Sequence, residues 1–490
     1  MLKRFAAHTS NYTLSSVLVT LAGLVSFPIL TRILDVGEYG VMNLVATALS
    51  LMVGVAKLGM QHSALRFYSE VKAGKRDIGL DAYVSTVLWG MGAVGLITTV
   101  LWALLSQVIP QSWWNNDDRV RFFMLITSSL ILIRVLDSAF VNQLRAQERS
   151  GVLMIYNVLR RYFGLALLLG VLFYVAGNLW GFFVATIIGE LVPVIVLGFW
   201  MLRDGFPKAD LFSKPLFKEM LAFGIPMLGF ELSTVILSMG DRYLIQNILG
   251  ADSVGIYSAA YNLCDYIKAI LLGSLVAAAQ PMYMRLWEEQ GKQATVEFLR
   301  RFMHVYMMAA SLVIAGVAAV GEELIVFLAS EKYRAGAVIV PYVMAGMALH
   351  ALVVILGAGL YIEKRSKTAM VLIIVAAGLN IVLNLALLPR LGLTGAALAN
   401  LVSFAFLVLA CALAGRARLP IPVPAGQLLK AASLGVLMYF VVIQIHTGSN
   451  LLTLVLRMLV GGLLFATLAV MSDREVRARL APLRRKWLGR

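Results

Sequence analysis

Residues 82–109 read AYVSTVLWGMGAVGLITTVLWALLSQVI, an apolar run that contains no charged side chain. A transmembrane helix needs about 20 predominantly apolar residues, so this run is long enough to cross a bilayer once. Runs of comparable length recur from residues 11–30 to residues 451–471, and 14 of them can be bracketed between polar connections. The sequence therefore predicts an all-α polytopic membrane protein with 14 transmembrane helices.

The composition excludes a large soluble domain. Of 490 residues, 60% are hydrophobic, and only 42 Lys or Arg and 26 Asp or Glu are present. The formal net charge of +16 would suggest nucleic acid in a soluble protein, but no aromatic-interleaved binding module accompanies the basic residues. We therefore expect membrane lipids, and no nucleic acid, as the partners of the basic surface.

The positive charges fall mainly on one side of the predicted membrane. Connections on the side of the N-terminus hold 29 of the 42 Lys and Arg residues, the opposite connections hold seven, and six lie inside predicted spans. Because cytoplasmic loops retain Lys and Arg, both termini are predicted to be cytoplasmic. The basic tail after the last span is predicted to lie against anionic headgroups.

A weak internal repeat divides the chain. When the sequence is aligned with itself, Ile33-Leu34 falls on Ile248-Leu249 and Gly40 falls on Gly255, in the external turns after spans 1 and 7. A repeat of six spans keeps its orientation and predicts two pseudo-symmetric lobes related by an axis along the membrane normal. The predicted domains are an N-lobe (1–202), a C-lobe (203–415), two extra spans (416–472) and the basic tail (473–490).

Motifs for enzymatic chemistry are missing from the sequence. It contains no Walker motif, no HExxH pair and no Cys/His cluster with metal-ligand spacing. Its two cysteines, Cys264 and Cys411, lie in separate apolar stretches and cannot form a disulfide framework. We expect no catalytic residues, no metal and no cofactor.

Four short stretches near the N-terminus carry a family resemblance. They are residues 28–34 (PILTRIL), 37–40 (GEYG), 58–60 (LGM) and 66–70 (RFYSE). With the predicted spans and lobes, they resemble the Wzx-type polysaccharide and O-antigen flippases of the multidrug/oligosaccharidyl-lipid/polysaccharide (MOP) exporter superfamily. In the related lipid II flippases, cationic residues of spans 1, 2 and 8 line the cavity. Here span 1 has no Lys or Arg between Arg4 and Arg32, whereas spans 2 and 8 carry one lysine each.

The resemblance implies a function and a location. Such a protein moves an undecaprenyl-pyrophosphate-linked oligosaccharide from the cytoplasmic to the periplasmic leaflet of the bacterial inner membrane, for O-antigen, capsule or exopolysaccharide biosynthesis. A polysaccharide polymerase and other assembly proteins are further candidate partners.

Three cationic residues are candidates for binding the pyrophosphate. Lys57 lies in span 2 and Lys268 in span 8, and ionisable residues inside spans usually face a cavity or a partner. Two alternatives remain open: Lys57 snorkels to the interface, and Lys268 pairs with Asp265 three residues earlier. Arg66, just past span 2, either captures the headgroup first or is a cytoplasmic topology anchor.

The acidic residues inside the spans suggest other roles. Glu231 in span 7 has no opposite charge within a helical turn, so it is a candidate for ion coupling, as is Asp265. The alternative for Glu231 is a protonated side chain bonded to a neighbouring span. Arg134 and Asp137, spaced i,i+3 in span 4, are predicted to neutralise each other. Glu190 in span 6 is predicted to join helices.

Two other functions compete with the flippase. The first is a drug/cation antiporter like the multidrug and toxin extrusion (MATE) transporters, but a site for cationic drugs should be dominated by carboxylates. The second is a membrane-embedded polysaccharide polymerase or ligase, which should have a substantial external loop. The longest external connections here have only about 15 residues.

Overall fold

The computed structural model describes residues 2–203, 205–363, 365–416, 419–422, 425–473 and 477. Every regular element in these ranges is helical. Of the predicted basic tail, 473–490, only Asp473 and Arg477 lie within the described residues. The expected all-α membrane fold is confirmed.

The α-helices differ widely in length, from single turns to helices that continue well beyond one membrane crossing. In the first half they are α1 (Leu2–Ile33), α2 (Val36–Lys57), α3 (Met60–Lys72), α4 (Leu80–Val108), α5 (Asp118–Thr127), α6 (Ser129–Ala146), α7 (Ser150–Tyr174), α8 (Leu179–Leu202), α9 (Lys214–Met239) and α10 (Asp241–Leu249). In the second half they are α11 (Ala251–Lys268), α12 (Ser274–Leu328), α13 (Val340–Ala351), α14 (Val353–Leu356), α15 (Ala358–Ile362), α16 (Ser366–Leu391), α17 (Leu393–Arg416), α18 (Ala425–Val442) and α19 (Asn450–Ser472). Short 3-10 helices cover Gln111–Trp114, Ala209–Leu211 and Glu331–Ile339, and Ala269–Gly273 forms a π-helix.

Thirteen helices in the described ranges are long and apolar enough to cross a membrane. The sequence predicted 14, and the difference arises around span 8. Helix α11 carries Asp252, Asp265 and Lys268 within 18 residues, so it is more polar than a typical span. Helix α12 continues through Gly291, whose φ of 77° is not helical, and so joins the end of predicted span 8 to predicted span 9. The count of 14 stays a prediction.

The chain forms two compact units. Unit 1 consists of Met1–Ser258 and Ala369–Ala399, and unit 2 consists of Ala259–Thr368 and Asn400–Arg490. The sequence boundaries of the predicted six-span lobes stay a prediction.

Within unit 1, helices α2 and α11 cross at a pair of glycines. A Cβ on Gly40 would lie 2.0 Å from the carbonyl oxygen of Ala251, and a Cβ on Gly255 would lie 2.0 Å from that of Val36. The contact is reciprocal, because Gly40 corresponds to Gly255 and Val36 to Ala251 in the sequence repeat, as expected for a two-fold related pair. Helix α2 begins at Val36 and α11 begins at Ala251, so the two helix starts also correspond in the repeat.

Candidate functional site

Span 2 is interrupted directly after Lys57. Helix α2 ends at Lys57, Leu58 and Gly59 have φ values of 47° and 70°, and α3 begins at Met60. A glycine is required at the second position because a Cβ there would lie 2.0 Å from the carbonyl oxygen of Gly224 in α9. Lys57 therefore ends its helix, where a positive charge is favoured by the helix dipole.

The neighbours of Lys57 belong to helices that are remote in sequence. Its ammonium group interacts electrostatically with the carboxylates of Glu231 and Asp137 and with the cations Arg134 and Arg145. Among the described residues, Lys57 makes no ion pair within 4 Å. It is thus a partly buried cation without a direct counter-ion.

Glu231 has an amide as its direct partner. The side chain of Gln61, on α3, donates a hydrogen bond to the Glu231 carboxylate on α9. The same two helices are joined by the hydroxyl of Ser63, which donates to the carbonyl oxygen of Met220 at 2.6 Å. The structure therefore holds Glu231 beside the break in span 2, and its role in ion coupling stays a prediction.

Span 8 is also interrupted directly after a lysine. Lys268 ends α11, and the π-helical segment Ala269–Gly273 follows before α12 begins. The Lys268 ammonium lies 2.5 Å from a carboxylate oxygen of Asp265, so the ion pair considered from the sequence is formed. π-helical turns occur mostly as single insertions and frequently at functional sites.

The two interruptions occupy corresponding positions of the repeat. In the alignment that places Gly40 on Gly255, Leu58-Gly59 falls on Gly273-Ser274, which is the junction between the π-helix and α12. In secondary transporters, interrupted apolar segments at corresponding positions of the two halves point to the binding site. Lys57 lies directly before the interruption of span 2, and Lys268 lies directly before the interruption of span 8.

Arg66 lies on the exposed surface of α3. Its side chain is 58% exposed, contacts Glu70 at 3.2 Å and lies over the ring of Phe223, 4.8 Å from its centroid. Nearby, Arg76 bridges Glu70 and Glu219, each at 2.7 Å. The hydrogen bonds that Arg76 donates to Glu219 and then to Glu70 raise the pKa of Arg76, so this bridge is charged at physiological pH. Arg66 is accessible to an anion, and headgroup capture stays a prediction.

The predicted pairing of Arg134 with Asp137 is wrong. Arg134 instead makes a bidentate contact with Glu190 on α8, with nitrogen–oxygen distances of 2.9 and 2.8 Å. Asp137 accepts hydrogen bonds from Arg160 and Tyr156 on α7. Glu190, on a neighbouring helix, offers the Arg134 guanidinium a two-point contact, while Arg160 and Tyr156 bind the Asp137 carboxylate. The role of Glu190 in joining helices is seen in these contacts.

Sequence reasoning missed Arg160 and Arg457 as partners within the spans. Arg160 links Asp137 to Glu190, at 3.6 Å from the latter. In unit 2, Arg457 on α19 is 4% exposed and binds Glu323 at 2.7 Å, together with main-chain carbonyls of α12 and of the turn after α18. The available signal was the position of each arginine inside an apolar run, where a charge requires a partner.

Unit 2 contains an apolar groove of about 670 Å³ between α12, α13 and α18. Representative lining residues are Tyr306, Ile314, Pro341, Leu349, Leu428 and Phe440. An ion pair between Glu323 and Arg457 joins α12 to α19, and His304 of α12 lies 3.4 Å from the carboxylate of Asp473, directly after α19. Helix α18, which forms one wall of the groove, is followed by α19, and α19 is bound to α12.

Comparisons with solved structures identify the fold. The chain is similar to the lipid II flippase MurJ in an inward closed conformation, with a TM-score of 0.77 and 14% identity over 96% of this chain and 99% of that chain. It is also similar to an inward-facing multidrug resistance MATE family transporter of the MOP superfamily, with a TM-score of 0.59 and 15% identity over 84% and 94% of the two chains. The fold is therefore similar to that of MurJ and of this MATE transporter.

A family model then gives the family. Residues 5–287, more than half of the chain, match the model described as polysaccharide biosynthesis protein. The chain belongs to this family, as the resemblance of its N-terminal motifs indicated. No curated protein sequence matches significantly.

Proposed function

We propose that this protein moves a polyprenyl-pyrophosphate-linked oligosaccharide from the cytoplasmic to the periplasmic leaflet of a bacterial inner membrane. It acts as a transporter and not as an enzyme. The observation that supports this proposal is the presence of a lysine next to the interruptions of both span 2 and span 8. A site for cationic drugs should instead be dominated by carboxylates.

The two lysines suit the pyrophosphate of such a substrate. At about 4 Å and an effective dielectric near 20, each unit charge pair contributes up to about 4 kcal/mol before desolvation. That is enough to favour a diphosphate over a neutral glycolipid. The apolar groove of unit 2 offers a surface of matching chemistry to the polyprenyl chain.

The membrane potential can drive the proposed movement. Carrying two negative charges outward across an inside-negative membrane is favoured by about 4.6 kcal/mol per 100 mV. Export therefore needs no ATPase domain, and ion coupling through Glu231 would add to the driving force. Because both termini are predicted to be cytoplasmic, Arg66 lies on the side from which the substrate enters.

Alanine substitution at both lysines tests the proposal. We expect Lys57→Ala/Lys268→Ala to abolish surface polysaccharide at a normal protein level, because the diphosphate loses both cations. Lys57→Arg/Lys268→Arg should keep more export than the alanine pair, since charge and phosphate bonding survive.

The matched control removes two lysines from exposed connections. Lys75 and Lys292 are exposed and lie outside the interruptions, so Lys75→Ala/Lys292→Ala makes the same change in net charge. Export should remain normal in this control. Export at the wild-type level in Lys57→Ala/Lys268→Ala would show that the headgroup is bound elsewhere.

A further inference from the structure

The ammonium group of Lys268 already holds a negative partner. Asp265 precedes it by three residues on α11, an orientation that favours pairing, and the two charged groups are 2.5 Å apart. Lys57 differs, since it has no ion-pair partner among the described residues and its acidic neighbour Glu231 accepts a hydrogen bond from Gln61. The lysines at the two interruptions therefore differ in their availability to a ligand.

An anion that binds Lys268 has to displace the carboxylate of Asp265. The Asp265 side chain is 51% exposed and that of Lys268 is 30% exposed, so both groups are accessible and the displaced carboxylate can be hydrated. Lys268 also acts electrostatically on His350, which stacks on Phe404 at 4.6 Å between ring centroids. Asp265 is thus the acidic group in direct contact with Lys268.

We propose that Asp265 is a positioning residue that competes with the diphosphate for Lys268 and speeds its release. This inference rests on the proposed function, in which Lys268 binds the pyrophosphate. In the substrate-free protein, Asp265 and Lys268 pair with each other, and their charges cancel in the last turn of α11. When the substrate leaves, Asp265 re-forms the pair and prevents the diphosphate from rebinding.

A transporter benefits from such a competitor. Its site must bind the substrate strongly enough to admit it and weakly enough to release it, and a carboxylate that competes for one of the two lysines favours release. The π-helical segment that follows Lys268 places the pair at the end of a regular helix. Lys57 has no direct counter-ion among the described residues, so its ammonium group is available to bind the arriving diphosphate.

Binding of farnesyl pyrophosphate to the purified protein in lipid nanodiscs tests this role. We expect Asp265→Asn to lower the dissociation constant about two- to fivefold, the range for exposed ion pairs, mainly through slower dissociation. Asp265→Glu should remain close to wild type because the competing charge is kept. The gain in Asp265→Asn should shrink between 0.05 and 0.5 M NaCl, which a purely structural role would not produce.

The control removes an equivalent carboxylate elsewhere in unit 2. Glu297 contacts Arg300 at 2.9 Å with the same i,i+3 spacing, on the connection between predicted spans 8 and 9. Glu297→Gln should leave farnesyl pyrophosphate binding unchanged. Melting temperatures are measured for every variant, and Asp265→Ser replaces Asp265→Asn if the asparagine variant does not fold.

The outcomes separate this inference from the proposed function. Lys268→Gln should weaken binding; if it does, and removal of the Asp265 carboxylate fails to tighten binding, the competition is refuted while the phosphate site stands. Wild-type binding in Lys268→Gln would refute the role of Lys268 itself. Tighter binding in Glu297→Gln to the same extent would show a general charge effect and would also refute the competition.

Discussion

Glu190 connects three helices through two arginines. Its carboxylate binds Arg134 of α6 at two points and lies 3.6 Å from Arg160 of α7. The three side chains are 18–28% exposed, so the charges are partly removed from water. Without this carboxylate, Arg134 would lose its ion-pair partner, and Arg160 would keep only its contact with Asp137 among the contacts described above.

We expect Glu190→Gln to lower the free energy of unfolding by about 1–3 kcal/mol. Breaking a fully buried pair costs about 3–5 kcal/mol, and partial exposure reduces this cost. The measurement is the melting temperature of the purified protein, followed by tryptophan fluorescence. Glu289→Gln, which breaks an exposed pair with Arg285, is the control and should leave the melting temperature unchanged. Equal losses in the two variants would contradict the stabilising role of Glu190.

The sequence identifies charges inside spans but not their partners. Asp265 with Lys268 and Arg134 with Asp137 both lie within one helical turn, yet only the first pair forms. Lys268 lies at a helix end with part of its surface exposed, whereas α7 and α8 bring Arg160 and Glu190 against the middle of α6. Spacing along one helix predicts a pair only when no neighbouring helix supplies a better partner.

At the scale of elements, glycine has three distinct roles in similar apolar runs. Gly59 interrupts span 2, and Gly40 permits the crossing of α2 with α11. Gly90 remains helical in α4 and makes room for Phe217, whose ring atoms would lie 2.3 Å from an added Cβ. The apolar runs predicted where helices form. They could not predict that span 2 is interrupted at Gly59, because the role of each glycine depends on what packs against it.

We expect Gly40→Ala to destabilise unit 1 strongly. The new methyl group would overlap a main-chain carbonyl, which cannot move aside as a flexible side chain could. Gly255→Ala should have a similar effect because the contact is reciprocal. Protein level in the membrane and melting temperature are the measurements.

The control for this prediction is Gly462→Ala in α19. An added Cβ at Gly462 has no atom within 4 Å, so the substitution should be neutral or stabilising. A melting temperature of Gly40→Ala equal to that of Gly462→Ala would contradict the close crossing of α2 and α11.

For the whole molecule, charge and hydropathy predicted the fold class, which is confirmed, and a count of 14 spans, which stays a prediction. The all-helical membrane architecture follows from repeated apolar runs, because a backbone in lipid must satisfy its own hydrogen bonds. The count is sensitive to α11, where Asp265 and Lys268 lie in a predicted span and lower its hydropathy. A span that carries charged residues is therefore the one that a count based on hydropathy misses most easily.

Thiol labelling in whole cells tests the predicted orientation. With both termini cytoplasmic and 14 crossings, cysteines at Glu331 and Gly448 should react with an impermeant reagent in intact cells. Cysteines at Lys75 and Gln290 should react only after permeabilisation, because they lie on the side that holds 29 of the 42 basic residues. All four positions are exposed. The native Cys264 and Cys411 are buried and should contribute little background.

The pattern of labelling also tests the span count. Lys75 follows span 2, whereas Glu331 and Gly448 follow spans 9 and 13 of the 14-span prediction. If predicted spans 8 and 9 made only one crossing, every connection after them would change sides. The sites Glu331 and Gly448 would then be protected in intact cells, while Lys75 would keep its cytoplasmic behaviour. Reaction at Glu331 and Gly448 together with protection at Lys75 is therefore expected only if α11 and the second half of α12 each cross the membrane.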